Sequence, residues 1–189
     1  MTVVLAFCAA SGRALPLLSV ETQKAMPGEQ EPPPALAKAV VGMLDEDDVV
    51  SLKQCMKENG VPPSAFERVF RVIALPRVST PQPLNFVRPA LEPFCAALYG
   101  GHLFRYWLVA QVSDTPKYAL RHAGGGDTVE VLSSGTNGSF DLAETNCTAS
   151  SCLTRILKFD GHGYRPFQCQ RQVYRNGKLA STQTVECEP

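Results

Sequence analysis

Several features that would point to a specific class of protein are missing from this sequence. No apolar run approaches the roughly 20 residues that a membrane-spanning helix needs. Eighteen Lys and Arg residues face eighteen Asp and Glu residues, so the chain lacks the excess positive charge of a general nucleic-acid-binding protein. We therefore expect neither a transmembrane segment nor a nucleic-acid partner.

Histidine is also scarce, and this argues against metal and thiol chemistry. The three histidines do not show the spacing of metal ligands, and only Cys147 and Cys152 form the close pair of cysteines that zinc sites usually contain twice. A cysteine nucleophile would need a histidine base. Cys95 and His102 are seven residues apart, but no third group is placed to orient them. We predict no catalytic residue, no metal site and no cofactor, and we interpret the cysteines as structural.

The N-terminus contains the sequence's best candidate for an export signal. An apolar stretch, "VVLAFCAA" at residues 3–10, is followed by the small residues Gly12 and Ala14, which favours a signal peptide over residues 1–14 with a shortened start. The alternative is a buried N-terminal strand. Cleavage after Ala14 would remove Cys8 and leave six cysteines, the even number that a disulfide framework requires. Both observations predict a periplasmic or secreted protein.

The remainder of the chain divides into three stretches. Residues 15–34 contain "MPGEQEPPP" and predict a flexible, proline-rich leader. Residues 35–60 predict short helices, the second beginning at the acidic cluster 45–48 and ending before Gly60. Residues 61–189 predict a β-rich domain that packs with the helices as one unit.

The β-rich stretch shows strand alternation and hairpin turns. In "HLFRYWLVAQV" every second residue from Phe104 onwards is apolar, and Asp-Gly and Asn-Gly dipeptides separate later segments. We interpret "GGGD" at 124–127 as a flexible turn. The predicted fold class is α+β: short N-terminal helices followed by a mainly antiparallel β-sheet meander stapled by disulfides.

The register of the predicted hairpins suggests how the cysteines pair. If Asp160-Gly161 is a two-residue turn, Cys152 and Cys169 lie directly opposite each other at a non-hydrogen-bonded pair, whereas a four-residue turn would move them out of register. The Asn176-Gly177 hairpin places Cys169 and Cys187 on opposite faces unless a bulge or a frayed end intervenes.

A turn through Ala149-Ser150 lacks residues that tolerate a positive φ, which disfavours a bridge between Cys147 and Cys152. We therefore predict the disulfide Cys152–Cys169 and, by elimination, the disulfides Cys55–Cys95 and Cys147–Cys187.

Two sets of residues are candidates for a functional surface. The aromatic cluster around residue 105 either forms a recognition surface, represented by Arg105 and Trp107, or divides into core and ordinary surface. A hydrolase would instead need two carboxylates, although no spacing selects a pair. The candidates for that pair are Asp127, Asp141, Glu144 and Asp160.

The last third of the chain contains a motif of the form G-x-x-D-[LI], then [FW]-D-G-x-x-Y-[RK], then a cysteine. Its residues are Gly138, Asp141, Leu142, Phe159, Asp160, Gly161, Tyr164, Arg165 and Cys169. This stretch resembles a module of uncharacterised exported bacterial proteins. The resemblance implies an envelope or secreted location and a hairpin that turns at Asp160-Gly161, and it implies no activity.

The absence of an assembled catalytic motif favours a non-enzymatic function. We expect an exported binding or interaction protein of the bacterial envelope or extracellular space, with an unknown protein or cell-envelope component as its partner. An inhibitor- or immunity-type partner of a secreted enzyme is a concrete form of this hypothesis. The alternatives are a small secreted hydrolase that uses paired carboxylates and a structural envelope component.

Overall fold

The computed structural model describes residues 14–76, 82–100, 103–112 and 117–187. Its helices are α1 (Pro34–Val41) and α2 (Glu46–Glu58). Its strands are β1 (Pro16–Glu21), β2 (Phe70–Ala74), β3 (Leu84–Pro89), β4 (Tyr99–Gly100), β5 (Leu103–Gln111), β6 (Tyr118–Gly126), β7 (Thr128–Thr136), β8 (Ser139–Cys147), β9 (Ser151–Phe159), β10 (Tyr164–Arg175) and β11 (Lys178–Val185).

The strands form two antiparallel sheets. Sheet A has the order β1-β7-β8-β9-β10-β11, so that its last five strands follow one another as a meander. Sheet B has the order β2-β3-β5-β4, and β6 pairs with the other edge of β5. This arrangement confirms the predicted α+β class with a mainly antiparallel meander.

Sheet B is the middle layer of the molecule and has a core on each face. Phe86, Tyr106 and Leu108 pack against sheet A, whereas Phe70 and Trp107 face the helices. Since both faces of β5 are buried, its sequence is apolar at nearly every position rather than at alternate ones. The helices α1 and α2 cover only the face that looks away from sheet A.

The helices begin and end where the acidic and glycine residues predict. Asp45 is the N-cap of α2, and its carboxylate accepts a hydrogen bond of 2.8 Å from the backbone N–H of Asp48. Gly60 follows the helix with a φ of 66°, a conformation that glycine adopts without strain. None of the helices among the described residues is long and apolar enough to cross a membrane.

The predicted flexible leader over residues 15–34 is wrong for much of its length. Residues 16–21 form β1, an edge strand of sheet A that pairs with β7 and buries Val20. The following loop is also anchored, since the Glu29 carboxylate lies 3.1 Å from the buried guanidinium of Arg88. The apolar residues of β1 and this ion pair outweigh the effect of the prolines on the chain. The predicted signal peptide, apart from Ala14, lies outside the described residues.

The six cysteines other than Cys8 form three disulfides. One of these disulfides, Cys55–Cys95, is a predicted pair. Cys55 in α2 is bonded to Cys95 in the segment before β4, with a Cα–Cα distance of 5.6 Å. This bridge fastens the helical layer to sheet B.

The predicted bridge between Cys152 and Cys169 is wrong, because the hairpin has another register. The turn comprises four residues, Asp160–Gly163, so that Phe159 pairs with Tyr164. A bulge between Pro166 and Gln168 adds a further shift, and Cys152 lies opposite Gln172. Cys169 bonds to Cys187 instead.

The Cys169–Cys187 bond exists because β10 and β11 also contain an irregularity. A register shift between Val173 and Tyr174 places Cys169 opposite Val185, which brings it to the same face as Cys187. The sequence had made this bridge conditional on such a bulge.

The predicted Cys147–Cys187 bridge is wrong as well, since Cys147 bonds to Cys152 across a tight turn. Cys147 and Cys152 are directly paired in β8 and β9. The turn between them has four residues and is closed by the N–H of Thr148, which donates to the carbonyl of Ser151 at 2.7 Å. This four-residue turn requires no positive φ. The lack of residues that tolerate a positive φ at Ala149-Ser150 therefore does not prevent the bridge.

Candidate functional site

The two residues predicted to form an interaction surface lie in different environments. Trp107 is 3% exposed and packs edge-to-face against Phe70, so it belongs to the core and its predicted surface role is wrong. The side chain of Arg105 is 43% exposed and forms an ion pair with Asp48 of α2. Arg105 therefore holds the helical layer to sheet B and still reaches solvent.

Arg105 lines the groove that we define as the β5–β6 groove. This groove has a volume of about 420 Å³ and lies between the segment Met43–Asp45, which joins the helices, and the strands β5 and β6. Its floor includes two cross-strand pairs, Arg105 with Gly125 and Trp107 with Ala123. Because the β6 partners are glycine and alanine, no bulky side chain of β6 closes this side of the groove.

Strand β6 is an edge strand and has only small residues where it borders the groove. It pairs with β5 alone among the described strands, and Gly124 to Gly126 all belong to it. The expectation that "GGGD" forms a flexible turn is therefore wrong: the glycines complete the strand, and Asp127 alone separates β6 from β7. Farther along the same strand, Leu120 is 43% exposed.

Gly124 is required by a buried polar network between the two sheets. The Glu144 carboxylate accepts a hydrogen bond from the Tyr106 hydroxyl at 2.8 Å and from Arg155 at 3.0 Å, and it lies 3.3 Å from the Nε2 atom of His122. A Cβ atom on Gly124 would lie 2.1 Å from Oε1 of Glu144. The network thus occupies the space that any other residue at this position would need.

The network shifts the pKa values of Glu144 and Tyr106 in opposite directions. Burial raises the pKa of Glu144, but the hydrogen bonds from His122 and Tyr106 and the nearby charges outweigh it, so that the pKa lies below its usual range. Burial and the neighbouring carboxylate raise the pKa of Tyr106 well above its usual range. The Tyr106 side chain is fully buried.

The four carboxylates considered for a hydrolase occupy separate parts of the structure. Asp160 lies in an exposed turn, where its carboxylate accepts hydrogen bonds from the N–H groups of His162 and Gly163. These bonds lower its pKa to about 2.

The other three carboxylates are held by β8 or its neighbours. Asp127 accepts from the backbone N–H of Cys147, at the opposite end of sheet A from the Asp160 turn. Asp141 and Glu144 are buried on opposite faces of β8, since Asp141 bonds to Ser134 of the outer face and Glu144 to Tyr106 of sheet B. The four residues therefore do not assemble the acid–base pair that the hydrolase hypothesis needs.

The interaction role that the sequence suggests for Arg105 stays a prediction, and the sequence gives no clear indication of the strand edge beside it. The three consecutive glycines are the available signal, but they favour a turn because glycine in a strand interior is uncommon. In the part of the chain that the structure describes, no group of three or more His, Cys, Asp and Glu side chains could hold a metal ion. No family model matches this chain, no curated protein matches it, and no solved structure matches its fold.

Proposed function

We propose that this chain is an exported, non-enzymatic binding protein of the bacterial envelope or extracellular space that recognises an extended segment of a partner protein along β6. The three disulfides support a location outside the reducing cytosol. An inhibitor- or immunity-type partner of a secreted enzyme fits this mode of binding, since such proteins act by binding alone.

The observation that carries the proposal is the edge of β6 beside an open groove. An edge strand presents backbone N–H and C=O groups that a partner strand can pair with. In strand addition these backbone bonds supply affinity, whereas pockets that accept alternate side chains supply specificity. The β5–β6 groove is such a pocket, because Ala123 and Gly125 leave it open towards the strand edge.

The charge of the groove suggests which partner side chains it accepts. Arg105 is half-exposed, but its guanidinium is already paired with Asp48, and Asp45 also lines the groove, so the lining carries no excess positive charge. Met43 and Leu44 offer apolar contacts beside it. We infer a partner segment that presents apolar side chains towards the groove.

The experiment is quantitative affinity capture from the extracellular and envelope fractions of the source organism, with variants that block the β6 edge. Leu120→Lys and Ala123→Lys place a charge on the proposed docking strand. Leu179→Lys is the matched control, because Leu179 is 54% exposed and lies on β11 of the other sheet. We expect one species that the wild type and the control capture and that both β6 variants lose by about tenfold or more.

Hydrogen exchange of the complex provides the second measurement. Bound partner should slow amide exchange in residues 118–126 and leave β11 unchanged. A captured species that binds both β6 variants as well as the wild type would refute the proposed surface. Failure of the wild type to retain any species under native conditions would refute the function itself.

A further inference from the structure

A second cavity lies on the outer face of sheet A, on the opposite side of the molecule from the helices. We call it the outer-face cavity; its volume is about 230 Å³ and it is lined by strands β7 to β10. Leu132 and Ile156 supply apolar walls, and Asp141, Lys158, Phe167 and Gln168 supply the remaining lining that matters here. The β5–β6 groove shares none of these residues.

Asp141 is an unusual residue to find in the wall of such a cavity. It is 3% exposed, and its two carboxylate oxygens accept hydrogen bonds from the hydroxyls of Ser134 at 2.8 Å and Thr136 at 2.7 Å. No ion pair reaches Asp141 from the described residues. A buried carboxylate without a counter-charge is costly, and two hydroxyl donors leave part of its acceptor capacity unused.

Lys158 places a positive charge on the same cavity without neutralising Asp141. Its Nζ atom lies 4.0 Å from the centroid of the Phe167 ring. This cation–π contact holds the ammonium at the rim, where it is free to bind an anion. Phe167 is 63% exposed because the bulge between Pro166 and Gln168 removes it from the strand ladder.

We propose that the outer-face cavity binds a small zwitterion, an α-amino acid with an aliphatic side chain. Its ammonium group donates to Asp141, its carboxylate pairs with Lys158, and its side chain packs between Leu132 and Ile156. The cavity is smaller than the roughly 300–1,000 Å³ of sites for drug-sized ligands, which favours a single amino acid over a peptide.

Two other ligand classes fit the observations less well. A saccharide would offer hydroxyls to Asp141 but no positive charge, so the buried carboxylate would remain without a counter-ion. A divalent cation needs several oxygen ligands, whereas Asp141 is the one carboxylate among the residues that line the cavity. The proposal concerns a different surface from β6 and does not depend on the proposed partner.

The test is isothermal titration calorimetry of the full chain with four probes: L-leucine, L-leucinamide, N-acetyl-L-leucine and glucose. We expect leucine to bind most tightly. Leucinamide lacks the carboxylate and N-acetyl-leucine lacks the ammonium, so each should bind about tenfold more weakly or worse. Equal binding of leucine and leucinamide, or binding of glucose without leucine, would overturn the proposal, as would the absence of leucine binding at millimolar concentration.

Variants assign each charge of the ligand to its residue. Lys158→Gln should weaken leucine binding about tenfold and leave leucinamide binding unchanged, whereas Asp141→Asn should weaken leucine binding and leave N-acetyl-leucine binding unchanged. Lys178→Gln, on the exposed β10–β11 hairpin, is the control and should change neither.

Asp141 also anchors Ser134 and Thr136, so misfolding of Asp141→Asn would reflect the loss of these two hydrogen bonds in β7. If Asp141→Asn does not fold, the effect of Lys158→Gln on the binding of leucine and of leucinamide is the deciding measurement. A loss of leucine affinity in Lys178→Gln equal to that in Lys158→Gln would refute the site.

Discussion

Glycine at position 124 illustrates how a single residue follows from contacts across two sheets. Its missing side chain makes room for Glu144, Tyr106 and His122, which meet from three different strands. The local sequence, three glycines before an aspartate, is typical of a turn, and nothing in it indicates a strand. Glycine is required at position 124 because of Tyr106 and Glu144, which are 18 and 20 positions away in the sequence.

We predict that Gly124→Ala lowers the free energy of unfolding by about 2–3 kcal/mol, the cost of overpacking a site whose neighbours cannot move apart. The added Cβ would lie 2.1 Å from Glu144 Oε1 and 2.8 Å from the Tyr106 ring. Urea denaturation followed by tryptophan fluorescence measures the change.

Gly163→Ala is the matched control for this measurement. No atom lies within 4 Å of a Cβ at Gly163, and its φ is not positive, so we expect a change within about 0.5 kcal/mol. Equal stability of the two variants would show that the side chains of the Glu144 network can shift to accommodate the added methyl group at little cost.

At the scale of the elements, hairpin register decides which cysteines meet. Asp160 shows why: its carboxylate caps the N–H groups of His162 and Gly163, and this stabilises a four-residue turn in place of the two-residue turn that Asp-Gly predicts. Gly161 still adopts a φ of 105°, so the glycine of the dipeptide has the expected role in a longer turn. The bulge at Phe167 then displaces Cys169 further.

The motif in the last third of the chain has a structural role in each hairpin that it spans. Asn137 and Gly138 adopt positive φ values in the β7–β8 turn. The Tyr164 hydroxyl donates to the carbonyl of Phe140 at 2.7 Å and lies 2.8 Å from the Ser139 hydroxyl, which ties β10 to β8. Membership of the exported bacterial module stays a prediction.

We predict that the three disulfides differ in what they contribute to stability, in the order of the loops that they close. These loops span 40, 18 and 5 residues for Cys55–Cys95, Cys169–Cys187 and Cys147–Cys152. Chain entropy then assigns losses of about 4, 3 and 2 kcal/mol to the paired Cys→Ala variants. Thermal and urea unfolding of the three double variants measure the order.

Peptide mapping without reduction is the control for that experiment, since the variants are informative only if the remaining bridges form. A fragment that links Cys152 to Cys169 in the wild type would contradict the observed register. The reverse order of stabilities would mean that local strain, rather than loop closure, determines the contribution of each bond.

At the scale of the whole molecule, the packing of sheet A on sheet B places phenol groups where they cannot ionise. Tyr106 and Tyr164 both lie in the core between the sheets. Burial raises the pKa of Tyr164 to about 12, although the hydrogen bond with Ser139 opposes the shift, and burial raises that of Tyr106 well above its usual range. In the unfolded chain both phenols ionise near pH 10.

We therefore predict that stability falls as the pH rises above about 10. At a pH between the tyrosine pKa of the unfolded chain and that of the folded protein, the unfolded state has lost protons that the folded state retains. Rising pH therefore favours unfolding. Tyr164 alone should account for up to about 2–3 kcal/mol by pH 12. Urea unfolding at intervals from pH 8 to 11.5 tests this.

Tyr164→Phe is the informative variant, because it removes the titrating hydroxyl and keeps the ring. It should be less stable than the wild type at pH 8, since the bonds to Ser139 and Phe140 are lost, and its stability should fall less steeply above pH 10. Identical slopes for variant and wild type would show that Tyr164 does not titrate as its burial implies.

The sequence by itself determined the features that depend on neighbouring residues and on overall composition. The Asp45 cap, the two short helices, the strand-rich character of the last hundred residues and the structural use of six cysteines all follow from local pattern or parity. Each depends either on interactions within a few residues or on the number of cysteines. Neither depends on the register of distant strands.

Only the tertiary structure decided the features that depend on register and on layers. Register shifts in β10 set the Cys169–Cys187 disulfide and, with the length of the Asp160 turn, exclude the Cys152–Cys169 pair. Pairing with β5 makes Gly124 to Gly126 part of an edge strand, and helices on the far face of sheet B bury Trp107. A register shift of one residue moves every side chain of a strand to the other face of the sheet. Burial of both faces of a strand removes the alternation of apolar and polar residues that would indicate the faces from the sequence. Disulfide pairing and side-chain burial therefore depend on how distant strands and helices pack.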